Sequence, residues 1–445
     1  MTQGAILPIL LKFTVPILLG NFLQLLYNTI DSIIVGNLIG LSALAAVSAT
    51  TPICSMLVKF FNGVAVGAGA VISQCFGAKD PDQLRKAIQS TICLTLVSCI
   101  VLTLVGFFSC DWILRQVSTP GDVFEEASLY LHIYFSGLSG LLLYNIGSAT
   151  LRAVGETRRP LYFLFFSSVL NIMLDLLFVA AFRWGIAGVA AATVMSQMIS
   201  AALVLHDLTY STESYHFSWR ELQIDRGLTG RILTIGLPVG LQMAIINFSN
   251  VFLQSYINFF DKACIAGWGC YTKLDQYIML PIQSMGQAVT TFTGQNLGAK
   301  RMDRVGQGTR TALCMILALS IVSAAVICSF AWPLVRIFSP DAGAIRYGVL
   351  FIHLCTPIAP ICSVNQILSG TLRGAGHAQA PMVITLCTHV VFRQIYLFFM
   401  SRLIPGNAYI IGSAYPAGWI LCAAAIAIYY RFNGWKTSFQ AEETE

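Results

Sequence analysis

The chain has 445 residues, 56% of them apolar and only 10% charged, with a mean hydropathy of +0.73. Soluble domains carry about 25% charged residues, so this composition excludes a soluble fold. The net charge of +6 follows from where Lys and Arg sit along the chain, and no nucleic-acid partner is needed to explain it.

About 20 apolar residues, rising about 1.5 Å each, cross the roughly 30 Å of bilayer hydrocarbon. In chain order such stretches fall at 9 to 36, 46 to 76, 88 to 110, 128 to 150, 160 to 182 and 186 to 206. They resume at 232 to 258, 266 to 297, 310 to 332, 346 to 371, 381 to 402 and 410 to 430. The expected fold is therefore an all-α integral membrane protein with twelve spans. The opening MTQGAILPILLKF lacks a basic stretch ahead of its apolar run and a small-residue cleavage site, so it reads as part of span one, not as a signal peptide. Of the 26 Lys and Arg, 17 fall at the termini and even-numbered loops, seven at the odd-numbered loops, and Lys59 and Arg393 lie within spans. Positive residues stay on the cytoplasmic side, which places both termini there, in a multi-pass cell-membrane protein of the bacterial inner-membrane kind.

The chain repeats itself. QCFGAK at 74 to 79 returns as QNLGAK at 295 to 300, and SATLRAVG at 148 to 155 returns as SGTLRGAG at 369 to 376, both displaced by 221 residues. Trp112 and Pro120 recur as Trp332 and Pro340, and Pro16 of span one recurs as Pro238 of span seven. One offset shared by the two loop motifs, with the other matches within a residue of it, marks a duplication. Six spans per copy leave both copies in the same orientation, related by a pseudo-twofold axis along the membrane normal. The expected division is an N-terminal lobe at 1 to 206, a cytoplasmic linker at 207 to 231, a C-terminal lobe at 232 to 431 and a cytoplasmic tail at 432 to 445. Gly77, Gly155, Gly298 and Gly376 read as tight turns at helix ends.

Two intramembrane carboxylates stand out. Asp31 is the only charge in 13 to 40, and Asp175 the only charge in 161 to 182. An acid in hydrocarbon costs at least about 2.5 kcal/mol on insertion scales and marks a functional site by default. Gln24, Tyr27 and Asn28 precede Asp31 on its helix face, and Asn171 precedes Asp175 by one turn. Asp175 lies ~15 residues, roughly 22 Å, along its span, Asp31 lies at a similar height, and Thr193 of span six reaches that level from the other side. Carboxylates with neutral side-chain oxygens suit a hard monovalent cation, and a close pair of acids also suits a proton. The alternative is a structural hydrogen-bond network, but the equivalent positions in the second copy are Leu253 and Tyr396, so the acids are not part of the duplicated scaffold.

In the second copy, mid-span Arg393 is expected to form a structural ion pair with Asp275, which follows Lys273; substrate or proton handling is the alternative. Lys59 either snorkels or faces a cleft. Thirteen scattered cysteines lack metal-ligand spacing and read as free thiols. Metalloprotease, hydrolase and P-loop signatures do not occur in the sequence, so neither an enzyme nor an ATP-driven pump is expected, and no cofactor.

The duplicated QxxGA and LRxxG loops, together with NIMLD in span five, resemble the multidrug and toxic compound extrusion (MATE) transporters over essentially the whole chain. The resemblance implies two six-helix lobes around a cleft, and efflux of organic cations or similar amphipathic drugs in antiport with protons or sodium ions. It implies that Asp31, Asn171, Asp175 and Thr193 form the cation or proton site, with Gln24 and Asn145 as weaker members, and no metal beyond a possible sodium ion there. Tyr27, Asn28, Lys59, Asp275 and Arg393 are then candidates for the cleft or for polar positions in the second lobe, and Pro16 is a hinge or a static kink. Small amphipathic or cationic molecules and the bilayer are the expected partners, and a monomer the expected state. The alternative is a lipid-linked oligosaccharide or peptidoglycan-precursor flippase of the same superfamily, which would favour fourteen helices and an arginine-rich cleft.

Overall fold

The computed structural model describes residues 1–117, 119–404 and 406–432, except the side chain of Leu41. The tail expected at 432 to 445 lies outside the described residues from 433 onward. Helices make up the fold: α1 (Ile6–Ile34), α2 (Leu41–Ala78), α3 (Pro81–Gln116), α4 (Gly121–Ser136), α5 (Leu138–Ala153), α6 (Arg158–Asp175), α7 (Ile186–Tyr210) and α8 (Arg226–Ile257). They continue as α9 (Lys262–Gly298), α10 (Met302–Ser329), α11 (Ala331–Phe338), α12 (Ala342–Cys355), α13 (Ile361–Gly374), α14 (Gln379–Leu386), α15 (Arg393–Leu403) and α16 (Ala408–Phe432). Turns of π-helix extend α1 (Val35–Ile39) and α6 (Leu176–Ala181) and join α14 to α15 (Cys387–Phe392).

Nine of these helices, with their extensions, are long and apolar enough to cross a bilayer, and the pairs α4–α5 and α12–α13 make two further spans. The twelfth is α9, whose 37 residues are long enough, though Lys262, Lys273 and Asp275 make it less apolar. Every expected span thus has its helix. Spans four and ten differ from expectation because each is bent, by 48° and 47°. Gly137 leaves the helical conformation at the first bend, where a Cβ would run into Val194. The second falls at Thr356–Ile358 in the sequence TPIAP, where two prolines remove backbone donors.

The helices are inside-out relative to a soluble protein. On α3, Val97, Ile100, Val101, Leu104, Val105 and Phe108 form one exposed apolar stripe, while Gln89, Ser90, Thr91 and Thr95 are buried. Many hydroxyls inside bond back to their own helix, as Thr91 and Thr95 do to the carbonyls four residues earlier, which satisfies those donors away from water.

The duplication is visible in the backbone. Lys79 and Lys300 both have φ of 56°, and their amides donate to the equivalent carbonyls of Phe76 and Leu297. Gly155 and Gly376 have φ of 103° and 90°, and the amides after them donate to Leu151 and Leu372. The left-handed residues of the QxxGAK turns are therefore the lysines, whereas Gly77 and Gly298, expected to make those turns, are still helical.

The chain forms two compact units, residues 15–237 and residues 1–14 with 238–445. The division falls inside α1 just before Pro16 and inside α8 at Pro238. In the first unit, the start of α8 packs on α2 where Gly67 meets the backbone of Gly236. The segment before α8 is tied down by buried Phe217, by the amide of Asp225 donating to Ser90 Oγ and by an Arg85–Glu221 ion pair. In the second unit, Thr14 Oγ1 donates to Met285 Sδ, and Arg301 and Arg304 donate to the carbonyls of Thr2 and Gly4.

Candidate cation site

Helix α6 presents Tyr162, Phe165, Phe166, Val169 and Met173 outward and buries the opposite face, which holds Asn171 at 2% exposure and Asp175 at 0%. Local contacts fix what lies level with them. Ser167 Oγ donates to the carbonyl of Ser196 on antiparallel α7, so one turn further along α6 Asn171 comes level with Thr193, whose carbonyl accepts from Ser196 Oγ. On α1, Gly20 lies against Leu161 and Leu164. Because α1 and α6 run in the same direction, the same displacement brings Asp31 level with Asp175, and the two carboxyl groups are direct neighbours.

The polar atoms of this group lack partners. Asp31 Oδ1, both oxygens of Asp175, and Oδ1 and Nδ2 of Asn171 are buried without a hydrogen bond. Ionised carboxylates only accept, so two of them in contact require a proton or a cation between them. Two carboxylates, an amide oxygen and the Thr193 hydroxyl constitute a donor set of the hard type that takes a small cation. The residues present therefore fit either ion.

Tyrosines surround the acids. Tyr27 lies one turn before Asp31, and Tyr130 of α4 and Tyr144 of α5 are also close by. Tyr130 stacks on Tyr134 with centroids 6.2 Å apart, and Tyr144 donates to the carbonyl of Pro160 at 3.2 Å. Sequence reasoning missed Tyr130 and Tyr144; the spacing of Tyr130 and Tyr134 on one helix face was the available signal. It also missed the π-helical turn that begins directly after Asp175, a feature frequent at functional sites. Asn145 leaves its Nδ2 buried and unpartnered. Gln24 is half-buried, Asn28 and Lys59 are exposed, and α1 stays helical through Pro16.

The second unit corrects one expectation. Arg393 is 3% exposed and does not pair with Asp275: its Nη2 donates to Ser249 Oγ at 2.7 Å, and its guanidinium lies 5.1 Å from the Tyr415 ring. Lys273 does not pair with Asp275 either; its Nζ lies 5.5 Å from the Phe338 ring. The two ion pairs among the described residues are Arg85–Glu221 and Arg159–Asp207. The reason is local: Arg393 is held on α15 by a hydroxyl and a ring face, which satisfy part of a guanidinium without a counter-charge.

A family model described as MatE matches residues 16–177 and, a second time, residues 238–398, reproducing the internal repeat. The chain is 31% identical to the probable multidrug resistance protein YpnP of Bacillus subtilis (strain 168) over 440 residues, 98% of this chain and 97% of that protein. It is 28% identical over 434 residues to the probable multidrug resistance protein YoeA of the same organism, covering 95% of this chain and 93% of that one. A crystal structure of a MATE protein in the bent conformation superposes with a TM-score of 0.92 over 98% of each chain, at 21% identity; that likeness establishes the fold. On the double family match and the full-length relatives, this chain belongs to the MATE family of membrane transporters.

Proposed function

We propose that this chain is a secondary active multidrug efflux transporter that exports organic cations or other amphipathic drugs by antiport with protons or sodium ions. The observation that carries this reading is the buried, unpartnered Asp31–Asp175 pair with Asn171 beside it. Relatives named as multidrug resistance proteins supply the substrate class. Entry of the ion from outside neutralises the two carboxylates and alters the packing of α1. Substrate leaves outward as the carboxylates load. We place the accompanying bend of α1 at Pro16, where a missing backbone hydrogen bond weakens the helix.

The energetics suffice without a nucleotide. Hundredfold expulsion requires about 2.7 kcal/mol, and one charge falling through about 100 mV supplies about 2.3 kcal/mol, so a modest ion gradient covers the remainder. No observation on this chain favours the precursor-flippase alternative. Uptake of a fluorescent organic cation into inverted membrane vesicles, under an imposed pH gradient or an imposed sodium gradient, tests the reading and assigns the ion. Accumulation under one gradient and its collapse when that gradient is dissipated is the expected result. No accumulation under either gradient would overturn the antiport reading.

A further inference from the structure

Within the unit formed by residues 1–14 and 238–445, the first turns of α10 make one wall of a cavity of ≈ 400 Å³ that α13 and α16 complete through Leu368 and Tyr430. Ligand sites commonly enclose about 300–1,000 Å³. Asp303, Gln307 and Arg310 line it at intervals of one turn along a single face of α10, and Leu313 adds an apolar side. All three polar residues are exposed, and the ion pairs among the described residues lie elsewhere. The guanidinium of Arg310 is close to the half-buried Tyr430, whose hydroxyl lies beside Thr309.

The same place in the first unit is closed. At the 221-residue offset Arg310 corresponds to Gln89 and Leu368 to Gly147. Gln89 is fully buried, and a Cβ on Gly147 would meet Val204 at 2.2 Å, so α7 presses onto α5 there. The segment after α7 then lies over α3, where Glu221 pairs with Arg85 and the amide of Asp225 donates to Ser90 Oγ. In the second unit Leu368 puts a side chain where that glycine lets its neighbour in, and Arg310 is left exposed. Asp303 corresponds to Asp82, and each sits in the first turn of its helix, where an acid offsets the dipole. The exposed cation is what the second unit adds.

The row along α10 has the order of a phospholipid. Asp303 lies at the polar end, beside the turn that opens the helix, and Arg310 follows about 10 Å further along. Beyond Arg310 the same face continues through Cys314, Leu317 and Ile321, of which Cys314 and Ile321 are exposed on an apolar span. Arginine takes phosphate through paired N–H donors, and its flexible stem lets the guanidinium reach back toward the polar end. Asp303 accepts an ammonium and disfavours a headgroup with a second negative charge. A soluble phosphate ester would use Arg310 but not the apolar surface beyond it. We propose that this cavity binds one phospholipid whose headgroup carries a primary ammonium, with its phosphate on Arg310, its ammonium on Asp303 and its chains along Leu317 and Ile321. The site is separate from the Asp31–Asp175 pair and does not depend on the antiport reading.

Native mass spectrometry of the purified full chain, delipidated and then titrated with phosphatidylethanolamine or phosphatidylglycerol, tests this. The wild type is expected to retain one phosphatidylethanolamine roughly tenfold more tightly than phosphatidylglycerol, the worth of one charge-assisted hydrogen bond. Arg310→Ala should lose that lipid. Asp303→Asn should still bind but lose the preference between the two headgroups, a change in selectivity that misfolding would not mimic. Arg336→Ala, outside the cavity, should bind as the wild type does. Equal retention of both lipids by the wild type, or a preference kept in Asp303→Asn, would overturn the proposal. So would protection of the wild type from thermal unfolding by inorganic phosphate as strong as that by phosphatidylethanolamine, which would mark a site for soluble anions. Binding of the lipid only after residues 433–445 are removed would overturn it as well, giving the cavity to that segment.

Discussion

Asp175→Asn should make this protein more stable while removing its coupling. The substitution conserves shape and volume, and with the pair free of ion and proton both carboxylate oxygens of Asp175 are buried without a donor, so in that state no hydrogen bond is lost. The new amide brings two N–H donors next to Asp31 Oδ1, which is also buried and unpartnered. A hydrogen bond to a charged acceptor contributes about 1.5–3 kcal/mol, and relief of like charges in low dielectric adds in the same direction. At about 2–4 °C per kcal/mol for units of this size, a rise of several degrees in Tm is expected. Thermal unfolding in detergent, followed by dye labelling of the thirteen free cysteines, measures it. Asp31→Asn should behave alike, and the double variant should gain less than the sum, because either substitution alone already ends the repulsion. A fall in Tm of similar size for Asp175→Asn would show that the carboxylate makes native contacts, and would refute the reasoning.

Two glycine substitutions should have opposite signs. Gly67→Ala would drive a Cβ into the backbone of Gly236 and to 2.8 Å from the carbonyl oxygen of Ile232, so about 1–3 kcal/mol of destabilisation is expected, read as a lower Tm. Gly269→Ala meets nothing within 4 Å inside α9 and should stabilise by about 0.5–1 kcal/mol. At the duplicated turns, Lys79→Gly should raise Tm slightly because Lys79 holds φ of 56°, while Gly155→Ala at φ of 103° should destabilise by about 1 kcal/mol or more and so lower Tm; the same assay checks both.

The architecture was legible in the sequence because bilayer thickness fixes helix length, and the 221-residue offset fixes the duplication. The bends at Gly137 and at Thr356–Ile358 were not read, since hydropathy reports burial and not axis direction. Asp31 and Asp175 were legible because a lone acid in an apolar run has few explanations. Tyr130 and Tyr144 were hidden among 16 tyrosines, whose proximity to the acids depends on how α4 and α5 pack. The expected Arg393–Asp275 pair failed for a related reason: similar height in the membrane does not bring two side chains to one azimuth. The QxxGAK turns show a further limit, because glycine marks a permissive position and the backbone placed its positive φ on the lysine two residues later.

The claim at the centre of this account is that Asp31 and Asp175 convert an ion gradient into export. Gradient-driven uptake of a fluorescent organic cation into inverted vesicles, compared between the wild type and Asp175→Asn at matched protein levels, with binding of the same dye to the purified variant, tests it most directly. Uptake by the wild type, none above background by Asp175→Asn, and dye binding retained in the variant are the expected results. Uptake by Asp175→Asn equal to the wild type would contradict it and leave the buried acid a structural residue.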